Sequence, residues 1–179
     1  MKFTIKCSQE KDLQVYLDAI WKPIWVNYGK SKYEVGLKYL PQEFLDNLKN
    51  AGSKIKAINV IKNYWKDTRV SMFNRNTRII VDWFNRFMTE ESHLVVDRLE
   101  KIYQKIFPFE KITMYLTTFF SCPYNYKQKW FMVSRNANLM TLLSISTHEL
   151  NHFMYYYYFE GYVKKWVYLT HNQNTLKRH

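Results

Sequence analysis

Lys111-Ile112-Thr113-Met114-Tyr115-Leu116-Thr117-Thr118-Phe119-Phe120 is the stretch on which the fold turns. Its β-branched and aromatic side chains suit a pleated, half-buried surface and predict a strand. Ser121-Cys122-Pro123-Tyr124-Asn125-Tyr126 follows with turn chemistry. Lys129 to Ser134 reads as a second strand able to pair back on the first. From Asn138, a good N-cap residue, neither Gly nor Pro occurs until Gly161. That run predicts a helix of about 22 residues, about 33 Å long, closed by Gly161 as a left-handed cap.

Upstream the texture is helical. Phe3 to Cys7 can form a short strand, and then Leu13, Tyr16, Leu17 and Ile20 repeat with helical spacing until Pro23 and Asn27 to Lys32 break the pattern. Pro41 suits the first turn of a helix that buries Phe44, Leu45 and Leu48 and is closed by Gly52. Lys54 to Trp65 predicts another, with Ile55, Ile58, Ile61 and Trp65 on one side. Residues 72–107 carry two stripes. Ile80, Trp83, Phe84, Phe87 and Met88 form the first, with Arg75, Arg78, Asn85 and Arg86 opposite; Val95, Leu99, Ile102, Tyr103 and Ile106 form the second. Both read as core-facing helices, and Pro108 forbids continuation past Phe107.

These elements predict an α+β protein: a mostly helical region over 1–107, packed on 108–179, where a small mixed sheet meets the long helix. The two parts are expected to form one unit. The 179 residues suffice for a hydrophobic core without staples. With only 2 Cys, Cys7 and Cys122, there is no disulfide framework and no paired zinc-cysteine spacing, so a reducing, cytoplasmic setting is the expectation. The first residues lack the apolar stretch of a secretory signal, and runs such as Phe153 to Phe159 fall well short of the roughly 18 residues a membrane span needs.

A formal charge of +12, from 27 basic and 15 acidic residues, raises the question of nucleic acid. The excess is spread over both halves of the chain. There is no long run of like charge and no signature of a recognised DNA- or RNA-binding module, which argues against a dedicated nucleic-acid partner.

The chemistry concentrates in His148-Glu149-Leu150-Asn151-His152, an H-E-x-x-H motif inside the long helix. Residues four apart share a helix face about 6 Å apart, so both imidazoles can reach one Zn²⁺ at about 2.0–2.1 Å. Glu149 lies about 100° round the helix, beside the metal's open position. There it can take a proton from a zinc-bound water as that water attacks a carbonyl, and deliver it to the leaving amine. The helix is otherwise apolar (Leu139, Met140, Leu142, Leu143, Ile145, Leu150, Phe153), so polar residues buried in it need a partner, and a metal is an effective one.

Ile112 to Thr117, Cys122-Pro123-Tyr124-Asn125, Trp130 to Ser134 and Thr147 to Phe153, in that order, resemble the zincin metallopeptidases, nearer the gluzincin branch. The resemblance covers about residues 111–160. It implies a zinc-dependent peptidase core acting on a peptide or protein substrate, with His148 and His152 as ligands and Glu149 as general base and acid. It also implies a rim strand, Trp130, Phe131, Met132 and Val133 onward, that pairs with an extended peptide beside the zinc. The metzincin pattern is absent, since Tyr155 and Tyr158 occupy its Gly and His positions.

A third ligand stays open. Glu160 lies about 12 Å along the helix from His152 and cannot close the same site. If the chain turns back at Gly161, His171 returns to the level of His152 and a three-histidine site forms; the competing reading is that the ligand is a glutamate beyond the tail Gln173 to His179. Tyr155 to Tyr158 could offer a phenol to a substrate carbonyl, Cys7 a thiolate to the zinc, and Lys164-Lys165 beside Trp166 an anion contact, but for each a packing or surface role is the commoner one. Two other functions compete with the peptidase: a zincin scaffold that binds without turnover, and a basic nucleic-acid-binding protein with a chance motif.

Overall fold

The structure, a computed structural model, describes residues 2–21, 34–68 and 75–176, with backbone alone at 2, 34–35, 75–76 and 161–176. Its elements, in chain order, are β1 (Lys2–Cys7), α1 (Gln9–Trp21), α2 (Glu34–Leu37), α3 (Gln42–Lys49), α4 (Lys54–Asp67), α5 (Arg75–Tyr103), β2 (Lys111–Thr117), β3 (Tyr124–Asn125), β4 (Trp130–Ser134) and α6 (Leu139–Leu176). The α+β class is as expected. The break expected at Pro23 and Asn27 to Lys32 lies outside the described residues.

The strands form one four-stranded sheet in the order β1-β2-β4-β3. β1 and β4 both run parallel to β2, with Ile5 opposite Met114 and Met114 opposite Phe131. β3 alone is antiparallel, pairing Tyr124 with Phe131 and Asn125 with Trp130. The expected pairing of Lys129–Ser134 with the first strand is present, and it is parallel, with β3 formed between the two in sequence. After β2 the chain crosses to the far side of β4, forms β3 there, and turns back through Lys129, whose positive φ of 55° reverses it into β4. β1 belongs to the first 107 residues and pairs with β2, so the sheet joins the two parts of the chain.

Both sheet faces are covered, as parallel strands require. Side chains alternate accordingly: Ile112, Met114, Leu116, Phe131 and Val133 enter a core with Phe84, Met88 and Leu99 of α5 and Leu150 and Phe153 of α6. Met132, with Tyr115 and Trp130 beside it, enters a second core with Tyr16, Phe44, Leu48, Ile61 and Trp65 of α1, α3 and α4. Tyr16 is the hub there, meeting Phe44, Trp65 and Phe119 edge-on at 5.1–6.0 Å. Gly36 allows the Phe119 ring to approach its backbone closely, at a spot where a Cβ would collide with that ring. Gly52 adopts a positive φ of 68° between α3 and α4, and Ser53 caps α4 by accepting from the Lys56 N–H.

Four helix readings change. The two stripes, apart from Ile106, lie on one continuous helix of 29 residues, which ends at Tyr103, where Gln104 adopts a φ of 51°. Ile102 and Ile106, expected in the core, are 74% and 78% exposed, and so is Ile55 at 74%. Asn85, placed on the polar face, turns to the sheet instead: its Oδ1 accepts from the Ile5 N–H at 2.7 Å and its amide donates to the Ile5 carbonyl at 3.1 Å. The long helix α6 starts as read, with Asn138 Oδ1 accepting from the Thr141 N–H at 2.9 Å. It does not stop at Gly161. It runs on to Leu176, 38 residues in all. Among the described residues no helix is long and apolar enough to cross a membrane.

Candidate metal centre

α6 lies against the sheet with Leu150, Phe153 and Met154 fully buried, and the H-E-x-x-H spacing then dictates the rest. His148 and His152 stand on the flank that looks out of the packing, His148 exposed and His152 half-buried. Their Nε2 atoms converge to 3.0 Å, and the rings meet edge to face at 4.5 Å with planes 85° apart. Two ligand nitrogens of a tetrahedral zinc lie about 3.3 Å apart, so a small opening of this pair fits them to one ion. Burial first, and then the neighbouring His148, hold the His152 imidazole below its ordinary value of 6.5. It is neutral near pH 7, the form in which a ring nitrogen has a lone pair to give a metal.

Glu149, one residue on, is only 5% exposed. Its neighbours come from the sheet edge: its charge raises the pKa of both Cys122 and Tyr124. The most deeply buried polar residue of the motif is therefore the glutamate.

Tyr124 reaches the pair from β3. Its ring stacks on His152 at 5.7 Å and 16°, and Tyr156, one helical turn beyond His152, stacks on the same imidazole at 6.1 Å and 29°. The two phenols share a hydrogen bond of 2.7 Å. Burial raises the Tyr124 pKa and keeps it a neutral phenol. Of the four successive tyrosines only Tyr156 faces this site. Tyr155 stacks on Phe159, Tyr158 donates to the Ile106 carbonyl at 2.6 Å, and Tyr157 packs edge-on against Phe109. Tyr124 was read from sequence as part of a turn. For Tyr156 the signal was present, since it continues the four-residue spacing of His148 and His152.

The rim-strand reading of Trp130, Phe131, Met132 and Val133 is corrected. β4 is an inner strand: β3 pairs with Trp130 and Phe131, the Met132 N–H donates to the Pro123 carbonyl at 2.8 Å, and the Ser134 N–H donates to the Cys122 thiol. Phe131, Met132 and Val133 are fully buried. A peptide cannot pair with β4 because the segment 122–125 already occupies that side, and β3 is the outer strand next to the histidines.

The remaining candidates separate in space. Cys7 lies in β1 beside Asp12, separated from β3 by β2 and β4, and burial raises its thiol pKa, so it is not a thiolate at the histidines. The continuation of α6 removes the turn at Gly161 that was to bring His171 back. On one unbroken helix His171 stands about 28 Å along the axis from His152. The side chains of His171, Lys164, Lys165 and Trp166 lie outside the described residues. Among the described residues no group of three or more His, Cys, Asp or Glu is placed to hold a metal.

Comparison with known proteins finds no matching family model, no similar curated protein and no similar solved structure.

Proposed function

We propose that this chain is a zinc-dependent hydrolase of peptide bonds, with His148 and His152 as protein ligands and Glu149 as the proton-transfer group. The observation that carries this reading is the convergence of the two Nε2 atoms to 3.0 Å beside a buried glutamate from the same helical turn. Zinc held there supplies a Lewis acid that polarises a carbonyl and acidifies water. Glu149 accepts the proton of the attacking water on a carboxylate oxygen and returns it to the leaving amine nitrogen. It is buried beside Tyr124 and Cys122, away from bulk solvent. The basic surface, at +12, biases encounter toward acidic substrates without setting the cleaved bond.

A second reading is supported by the absence of a third donor among the described residues and by the covered edge of β4. In it the chain holds a metal on a zincin-like scaffold and binds a partner without turnover. A diverse peptide library incubated with wild type and with Glu149→Gln, both loaded with zinc, separates the two. Cleavage by wild type that falls at least about 100-fold in Glu149→Gln supports the hydrolase. Equal, background cleavage by both proteins, each with stoichiometric zinc, rejects it in favour of the binding role.

A further inference from the structure

We infer that Tyr124 and Tyr156 are positioning residues that set the orientation of His152; the inference rests on the reading of His148 and His152 as metal ligands and names what keeps them convergent. An imidazole on a helix surface rotates about its Cα–Cβ and Cβ–Cγ bonds, and only a narrow range of those angles directs its Nε2 at a neighbour one turn earlier. His148 and His152 have that arrangement, with Nε2 atoms 3.0 Å apart. Nothing in the helical backbone imposes it.

The rings around His152 do. Tyr124, Tyr156 and His152 form a triangle of centroids with sides of 5.7, 6.1 and 6.0 Å, each within the range of offset aromatic contacts. His148 meets His152 edge-on. Turning the His152 ring away from His148 would break the near-parallel stacking on both tyrosines. The tyrosines in turn are tied together by the 2.7 Å phenol hydrogen bond, and they come from different layers, Tyr124 from β3 and Tyr156 from α6. The bond therefore fixes the sheet edge to the helix at the level of the metal ligands. A ligand ordered before the metal arrives loses less freedom on binding, which appears as affinity.

The test is zinc affinity of the full chain, measured by competition with a chromophoric chelator, with the visible spectrum of the cobalt-substituted protein as a reporter of ligand geometry. Wild type is expected to bind one zinc and His152→Ala to lose it. Tyr124→Leu, which removes ring and hydroxyl, is expected to weaken binding about tenfold or more and to alter the cobalt spectrum. Tyr124→Phe keeps the stacking and loses the bond, so it should weaken binding only a few-fold, as should Tyr156→Phe. Because both remove the same bond, the double Phe variant should be no weaker than either single one. Where Tyr124→Leu does not fold, the Phe cycle decides alone, and additive Phe effects overturn the proposal. Zinc binding by Tyr124→Leu as tight as wild type, with His152→Ala inactive in binding, overturns it too while leaving the metal reading standing. Absence of zinc binding by wild type removes the metal reading itself, and the positioning role with it.

Discussion

Two buried carboxylates sit on helices that pack against opposite faces of the sheet, and they are built for different ends. Asp12 of α1 is fully buried, and its oxygens are met from within: Thr117 Oγ1 donates to it at 2.5 Å, the Thr118 N–H at 3.0 Å and Thr118 Oγ1 at 2.6 Å. The Thr117 hydroxyl then accepts from the Phe119 N–H, and Tyr16 completes the cluster through Thr118. These donors are neighbours fixed at the end of β2, so this carboxylate ties α1 to the sheet. Glu149 of α6 is 5% exposed, and it lies in the same helical turn as an exposed and a half-buried histidine, near a thiol and a tyrosine at the sheet edge. The difference teaches that burial alone does not mark a working acid. What marks it is a buried carboxylate beside groups that point outward and have a place for something foreign.

Substitution at each acid is the sharpest way to break this contrast. Glu149→Gln should lower peptide hydrolysis by about 10²–10⁴-fold, with zinc content retained and the thermal midpoint unchanged or raised. A variant that keeps its activity would put Glu149 in the same class as Asp12. Asp12→Ala should cost about 3 kcal/mol in urea unfolding, because three donors lose their acceptor inside a closed cluster, while zinc stoichiometry stays at the wild-type value in the folded protein. Unchanged stability there would mean that the cluster does not hold α1 to β2. Tyr16→Phe, which removes one hydroxyl from the edge of the same cluster, should cost about 1 kcal/mol by the same measurement.

The smallest effect is one of pH. Burial outweighs the three hydrogen bonds and the charge of Arg135, so Asp12 has a pKa above its ordinary value of 3.8. Between the unfolded and folded values the native state holds the proton more firmly, so the contribution of this group is fully present below 3.8 and declines as pH rises through the folded value. The urea midpoint of wild type minus that of Asp12→Asn should therefore fall from pH 4 toward pH 7, and a flat difference would contradict the raised pKa.

The α+β class and the H-E-x-x-H helix were legible because both are local patterns. The β-branched run of β2, the cap at Asn138 and the four-residue spacing of the histidines each declare themselves within one element. What failed to show is what depends on which element lies next to which. Parallel and antiparallel partners for β4 need the same side chains, so nothing in Trp130 to Ser134 distinguishes an inner strand from a rim. β3 is two residues in a turn-like segment, and its importance comes from Tyr124 meeting His152 across 28 positions of sequence. Ile102, on α5, and Ile106, beyond its end, were read as core because apolar residues at helical spacing also occur on exposed surface, and only packing tells the two apart. Gly161 signals a helix end in isolation, yet a single glycine costs about 1 kcal/mol in a helix interior, too little to stop one that is otherwise continuous. Asp12 had no motif at all, since its partners lie more than a hundred residues away.

The pairing of Asn85 with Ile5 carries a consequence for how this protein behaves in a crowded solution. β1 is the far edge of the sheet, and an edge strand offers its free peptide groups as a template to any other extended chain. Asn85 presents an amide that imitates the missing strand, one donor and one acceptor to the same residue, and α5 lies over that border. Replacing this single carboxamide with an alanine would uncover a polar notch in a strand whose Phe3 and Ile5 are sticky when displaced. The expected outcome is protein that folds but accumulates as strand-exchanged or aggregated species, a fault of assembly in a residue far from any chemistry.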